Sequence, residues 1–212
     1  MRKLFSTFGN LPHSFIEEEL FKSGVKNIVG IDEAGRGSIA GPVVSASVIL
    51  EEKLLIGNPL KLNDSKKLSS KSRKKMFDQI INSKSIFSIG ISNNHEVDNE
   101  GIISATKNSM KRSLSNINYD YALIDSIDLI IDKPYFNFDK ADSISTSVAA
   151  ASIIAKVSRD SMMLNIYDKL YPDYFFKNNK GYGSHKHIEN IKKIGICTIH
   201  RKTFKPCSEI IK

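Results

Sequence analysis

Only two of the 212 residues are cysteine, Cys197 and Cys207. Two thiols cannot build a disulfide scaffold, and a chain of this length buries a core without one. A reducing compartment, and with it the cytoplasm, is therefore expected. No apolar run approaches the roughly 20 residues that a membrane span needs. The short basic start "MRKLFSTFGN" leads into no sustained apolar stretch or small-residue cleavage site. Internal repeats and low-complexity linkers are lacking. Neither a phosphate-cradling GxxxxGK[ST] loop nor a dinucleotide GxGxxG fingerprint occurs, which counts against ordinary nucleotide-dependent enzymes.

What is present is a normal globular composition, 41% hydrophobic and 25% charged. Lys and Arg number 31 against 23 Asp and Glu, a net charge of +8. An excess of that size favours polyanions, because each phosphate neutralised releases condensed counterions. Periodicity and turn residues predict a short amphipathic helix over 15–24, its acid run a solvated face near a helix N-terminus. Strands follow in "NIVGIDE", "GPVVSASVIL", "SIFSIGIS" and "YALID", with a weaker one in "PYFNF". Between them lie a basic helix capped by Ser69 or Ser70 and one helix from about His95 to Leu114, with Ile102, Ala105 and Met110 facing inward. The stretch Val148 to Ala155 is apolar nearly all round and belongs inside the protein. Strands early and helices late give an α/β core with a helical C-terminal extension.

The stretch "GIDEAGRGSIAGPVV", residues 30–44, is an unusual way to leave a strand. It ends in two adjacent acids, Asp32 and Glu33, before the turn Gly35-Arg36-Gly37. Asp125 and Asp142 also sit where an apolar element ends or begins, and strand ends of α/β sheets are where sites gather. A hard cation such as Mg²⁺ wants a few such carboxylates; without one, clustered acids raise each other's pKa. Each acid has a plainer reading. Asp142 is equally placed to cap the next helix, and Asp128 or Asp132 fits the spacing as well as Asp125. Neighbours in a regular strand point to opposite faces, so Asp32 and Glu33 share a site only if the strand breaks there, which Gly35 permits. Cys197, His200, Cys207, His185 and His187 match no common closed zinc site, so a buried thiol pair and surface histidines are expected. The run "KSRKKMF" reads as a solvated helix face with a secondary chance of meeting a duplex.

Taken in order, "GIDEAGRGSIAGPVVSASVIL", "LNDSKKLS", "YALID", "KADSISTSVAAASIIAKVSRD", "YPDYFFKNNKGYG" and "HRKTFKP" resemble bacterial ribonuclease HII from about residue 25 to 206. The resemblance implies a ribonuclease H-like fold, a mixed five-stranded sheet flanked by helices with a small helical C-terminal extension. The implied divisions are a helical lead-in over 1–24, the catalytic core over 25–160, and a helical region over 161–212 that completes the substrate-binding face. Position by position, it puts the catalytic, metal-binding acids on Asp32, Glu33, Asp125 and Asp142. It puts the loop that reads a ribose 2′-hydroxyl on Gly35, Arg36 and Gly37. Nucleic-acid backbone contacts fall on Asn63 and Lys66, and a junction-sensing tyrosine on Tyr182. Ser38, Ser126 and Ala141 depart from the common pattern, where proline, glycine and glycine are frequent; all three lie beside the site.

The activity implied is endonucleolytic hydrolysis of the RNA strand of RNA–DNA hybrids, with cutting 5′ to single ribonucleotides in duplex DNA. A two-ion site for Mg²⁺ or Mn²⁺ is expected, and a monomer that needs no membrane. The rivals are another metal-dependent nuclease of the same fold, a catalytically silent hybrid binder, and a Mg²⁺-dependent small-molecule phosphatase.

Overall fold

A computed structural model describes residues 14–57 and 69–210. The first helix, α1 (Phe15–Lys22), leads into β1 (Ile28–Ala34) and β2 (Val43–Ile49). Then come α2 (Ser70–Ile81), β3 (Ile86–Ser92), α3 (Asn94–Glu100) and α4 (Ile102–Leu114). Strands β4 (Tyr121–Asp125) and β5 (Tyr135–Phe138) precede the long α5 (Thr146–Met162). Short helices α6 (Asp168–Leu170) and α7 (Phe176–Asn179), then α8 (His185–Ile194) and α9 (Cys207–Ile210), complete the described chain. The sheet order is β3-β2-β1-β4-β5. β2 runs antiparallel to both its neighbours, while β1, β4 and β5 are parallel. Among the described residues no helix is long and apolar enough to cross a membrane.

Strand alternation sorts the sheet's two faces. On β2, Ala46 and Val48 join the apolar cluster under α5 and α2. The serines between them turn to α4, where Ser45 Oγ meets Ser109 Oγ at 2.5 Å and Ser47 Oγ meets Ser113 Oγ at 2.6 Å. A strand step of two residues thus matches a helix step of four, and the hydroxyls satisfy each other in a dry layer. Val29 and Ile31 of β1 pack with Met110 and Leu114 of α4. The other side of β1 carries α5, which lies so close that a Cβ on Gly30 would meet the Ser147 carbonyl carbon at 2.2 Å. Glycine is the residue that permits this approach. Val148 through Ala151 are all buried, as the apolar stretch predicts.

Three expectations change. The helix expected over 95–114 is two helices, because the chain turns at Gly101 between α3 and α4. α3 starts with a capping box in which Asn93 and Glu96 satisfy each other's backbone amides. The acid run of α1 is not wholly a solvated face, since Glu17 is fully buried. Its Oε1 accepts from Ser145 Oγ at 2.6 Å and from the Ser147 amide at 2.9 Å. Its carboxylate therefore sits at the positive end of α5, where a negative charge is favoured. Strand β1 also does not break at the paired acids, since Asp32 and Glu33 stay in register with Ala46 and Ser45 of β2. The Glu33 charge nevertheless reaches Asp32, so a break is not required for the two carboxylates to interact.

Replacing Glu17 by alanine removes two charge-assisted hydrogen bonds and leaves the Ser147 amide buried without its acceptor. The expected loss is about 2–4 kcal/mol, read as a lower urea midpoint with an unchanged slope. An unchanged midpoint would refute the role of this carboxylate as the anchor of α5.

Candidate active site

The parallel pairing of β1 with β4 ends at Ile31 opposite Ile124. The next residue on each strand is an acid, Asp32 and Asp125, so the two carboxylates emerge side by side where the strands part. Asp32 is buried, and its Oδ1 bends back to accept from the Glu33 amide at 2.7 Å. Burial pushes its pKa well up, and the charges of Glu33, Asp125 and Asp142 push the same way; the Ser152 hydroxyl pulls against them. Three acids from separate elements thus act on one hub. Asp128, the rival on spacing, is exposed and instead accepts from the Tyr135 hydroxyl at 2.9 Å.

Asp142 lies in a single 3₁₀ turn, Ala141–Ser143, and is buried. Capping of α5 falls to Ser145, whose hydroxyl accepts from the Val148 amide. The Ala141 amide donates to Asp125 Oδ1 at 2.7 Å, which ties the third and fourth acids together through the backbone. Ser126 takes the left-handed conformation at φ 52°, which explains why glycine suits that position. Among the described residues no three His, Cys, Asp or Glu side chains stand as a ready-made metal cage. The donor set itself, four carboxylates with no thiolate or imidazole, suits Mg²⁺ or Mn²⁺ rather than zinc.

Beside the acids runs a cleft of about 540 Å³ lined by Glu33, Ala34, Gly35, Arg36, Gly37, Arg73, Ser152, Lys156 and Tyr182. Arg36 Nη1 pairs with Glu33 Oε1 at 3.2 Å. Gly35 has φ 98°, and a Cβ there would meet Arg159 Nε at 2.1 Å, so both conformation and space demand glycine. Tyr182 has the Lys156 ammonium over its ring at 4.8 Å and the Arg159 guanidinium at 5.2 Å. Asn63 and Lys66 lie outside the described residues.

Two buried arginines hold this cleft, and reading the sequence missed both. Arg201 donates to the carbonyls of Gly35 at 2.7 Å, Arg36 at 2.8 Å and Gly41 at 3.0 Å. Arg159 donates to the carbonyls of Pro42 at 2.8 Å, Ala40 at 3.1 Å and Lys180 at 2.9 Å, and to Ser38 Oγ at 2.7 Å. Burial, then the neighbouring Arg159 charge, pushes the Arg201 pKa down to about 9, which leaves it charged at neutral pH. A signal was present in "VSRD" and "HRKTF", but all their carbonyl partners except Lys180 are more than a hundred residues away in the chain. Arg73, in the run read as a solvated face, lines the cleft. His187 and His200, expected at the surface, are buried. Nδ1 of His200 faces Cys197 and Nε2 faces His187, so these donors do not aim at one point.

A mixed five-stranded sheet with acids converging where its parallel strands part, beside a basic cleft, defines a hydrolase of ribonuclease H-like fold. The pattern of the Ribonuclease HII family matches residues 29–207. A protein named Ribonuclease HII from Enterococcus faecalis is 45% identical over 93% of this chain and 77% of its own length. Another of that name from Acholeplasma laidlawii is 41% identical over 92% of this chain and 96% of its own. A chain of the solved PCNA:RNase HII complex from Archaeoglobus fulgidus superposes with a TM-score of 0.72 at 26% identity, covering 85% of this chain and 96% of that one. The chain belongs to the ribonuclease HII family, and it is a ribonuclease H enzyme.

Two outcomes follow from the geometry. Because the fold raises the pKa of Asp32, the folded state holds that proton more tightly than the unfolded one does. In chelator, this group's contribution to stability is greatest in acid. It falls as pH rises from the unfolded carboxylate value, about 3.9, through the raised folded one. Asp32→Asn should therefore raise the chelated protein's melting temperature at pH 8 while cutting nuclease activity about a hundredfold or more. A lower melting temperature would contradict the like-charge hub. Arg201→Lys keeps the charge but cannot span three carbonyls, and should cost about 2–4 kcal/mol in denaturant unfolding. A loss below 0.5 kcal/mol, about the error of such a comparison, would show that the fork geometry is dispensable.

Proposed function

We propose that this enzyme hydrolyses the RNA strand of RNA–DNA hybrids and cuts 5′ to single ribonucleotides embedded in duplex DNA, leaving a 3′-hydroxyl and a 5′-phosphate. The observation that carries this reading is that the charges of Glu33, Asp125 and Asp142 all act on the buried Asp32, and that Glu33 lines a cleft together with Gly35–Gly37 and Tyr182. Asp32, Glu33, Asp125 and Asp142 would hold two Mg²⁺ or Mn²⁺ ions. When bound, such ions supply an activated water and stabilise the leaving oxygen.

The chain's own residues choose the substrate. In a trans peptide the carbonyl and the following amide point in opposite directions. Arg201 holds the Gly35 and Arg36 carbonyls inward, so the Arg36 and Gly37 amides face away from the guanidinium. Those amides are placed to donate to a ribose 2′-hydroxyl, the group that distinguishes RNA from DNA. Tyr182 stacks on the adjoining deoxyribose, held in place by Lys156 and Arg159. Arg73 and Lys156 supply positive charge for phosphates along the cleft, and Asn63 and Lys66 add backbone contacts. The helical region over 161–212 completes the substrate-binding face of a core spanning 25–160, with 1–24 as its lead-in. The cellular task that suits this chemistry is removal of ribonucleotides misincorporated into DNA, in the cytoplasm, by a monomer.

The test is an end-labelled duplex DNA carrying one ribonucleotide, incubated with Mg²⁺ or Mn²⁺ and mapped for product ends. One metal-dependent cut 5′ to the ribonucleotide, abolished in Asp32→Asn, is expected. Tyr182→Ala should reduce cutting at that junction by about tenfold or more, the equivalent of about 1.4 kcal/mol or more, and change cutting inside a long RNA tract less. Equal losses on both substrates would remove Tyr182 from junction sensing. Binding without any cutting would make the chain a silent hybrid binder.

A further inference from the structure

Behind the Tyr182 turn lies a line of hydrogen bonds that the proposed chemistry does not use. The Tyr182 carbonyl accepts from the Ser184 amide at 2.8 Å and lies 2.9 Å from His187 Nδ1. His187 Nε2 lies 3.1 Å from His200 Nε2. The Cys197 amide points at His200 Nδ1 at 3.0 Å. Both imidazoles are buried, with Tyr174 4.9 Å from the His200 ring and Phe176 5.5 Å from the His187 ring, centroid to centroid.

Donor and acceptor chemistry fixes every proton on this line. A carbonyl only accepts, so His187 Nδ1 carries the hydrogen. A neutral His187 then has a bare Nε2, which must receive a hydrogen from His200 Nε2. A neutral His200 has in turn a bare Nδ1, which accepts from the Cys197 amide. Starting instead from that amide and working back gives the same assignment. Both ends of the chain agree, and either ring gaining a second proton would set two N–H groups against each other. Burial keeps both rings neutral, holding His187 below the ordinary histidine value and His200 down at about 4.

We infer that the His187–His200 pair is a tautomer-locked relay that positions Tyr182, fixing its carbonyl from the interior so that its ring is presented to the substrate. The relay runs from the 197–200 turn beside "HRKTF" to the rim of the cleft, and these histidines act through Tyr182 without touching substrate. The inference rests on the proposed role of Tyr182 at the ribonucleotide junction. It also gives the buried histidines a task distinct from metal binding.

Long-range ¹H–¹⁵N correlation of the imidazoles in the wild-type protein tests the relay directly. The hydrogen is expected on Nδ1 of His187 and on Nε2 of His200; a hydrogen on Nε2 of His187 overturns the relay. Two variants then test the positioning. His187→Asn keeps an N–H near the Nδ1 position, whereas His187→Gln reaches only the Nε2 position. His187→Asn should stay within about threefold of wild type on a single embedded ribonucleotide. His187→Gln should raise KM on that substrate by about five- to tenfold while cutting inside a long RNA tract changes less than about twofold. The ratio of the two substrates in one preparation cancels any loss of folded protein. An equal ratio in both variants overturns the positioning role. A wild-type enzyme that does not cut at single ribonucleotides sinks the proposed function instead, and the ring-proton assignment still decides the relay.

Discussion

The cleft depends on two cations placed where cations are costly. Arg159 and Arg201 are fully buried, and isolated buried charge is strongly disfavoured. Here the charge is spread over peptide carbonyls and a hydroxyl, each aligned to an N–H of the guanidinium fork. Five of those carbonyls belong to the short stretch from Gly35 to Pro42, and the sixth is that of Lys180. The Gly-Arg-Gly turn is therefore folded around its own counter-dipoles. The Gly35 and Arg36 carbonyls face Arg201, which turns the amides that follow them away from that guanidinium. Losing one arginine would orphan several buried carbonyls at once, each costing about 1–3 kcal/mol. Ser38, a departure from the family's usual proline, fits this scheme, because its hydroxyl accepts from Arg159 and donates to the Gly35 carbonyl.

Opposed to this basic frame is an acidic centre held by the sheet. The register Ile31 opposite Ile124 makes Asp32 and Asp125 neighbours, and the Ala141 amide draws the Asp142 turn to Asp125. Glu17 fixes the start of α5 from the far side of the same turn. The acids are therefore placed by backbone geometry against the cost of burial and their mutual repulsion, which in that order raise the pKa of Asp32. Strain of this kind is tolerated where packing over-determines the structure. Here α5 packs without a gap on the glycine-cleared side of β1.

Local pattern made most of the fold legible in the sequence. Alternation in "VVSASVI" and the all-round apolar face of Val148 to Ala155 are properties of neighbouring residues, and they read directly as a strand and a buried helix. The acids were legible by position type, and the ordered motifs then singled out Asp125 over Asp128. What escaped reading depends on partners far along the chain. Glu17 looks like any solvated acid until Ser147, 130 positions away, is beside it. Arg201 looks like surface charge until the Gly35 carbonyl, 166 positions away, caps it. His187 and His200 look like surface histidines because nothing within "GSHKH" or "CTIHR" announces that Tyr174 and Phe176 will enclose them. The continuation of β1 through Glu33 was likewise hidden, because the pairing that holds it straight comes from β2.

The same two arginines also set how the parts of the cleft are spaced. Arg159 reaches the Ala40 and Pro42 carbonyls on one side and the Lys180 carbonyl on the other, and its guanidinium stands 5.2 Å from the Tyr182 ring. The Gly181 carbonyl in turn accepts from the amides of Ile39 and Ala40. The Gly35–Gly37 loop, held by Arg201, and the Tyr182 turn, held by Arg159, are thus fixed to one another through the Ser38–Pro42 backbone. In the function proposed above, these two parts meet features one nucleotide apart on the substrate, and that requires a fixed distance between them. Flexible loops would let that distance vary; two buried guanidinium groups bonded into the same 35–42 backbone hold it constant.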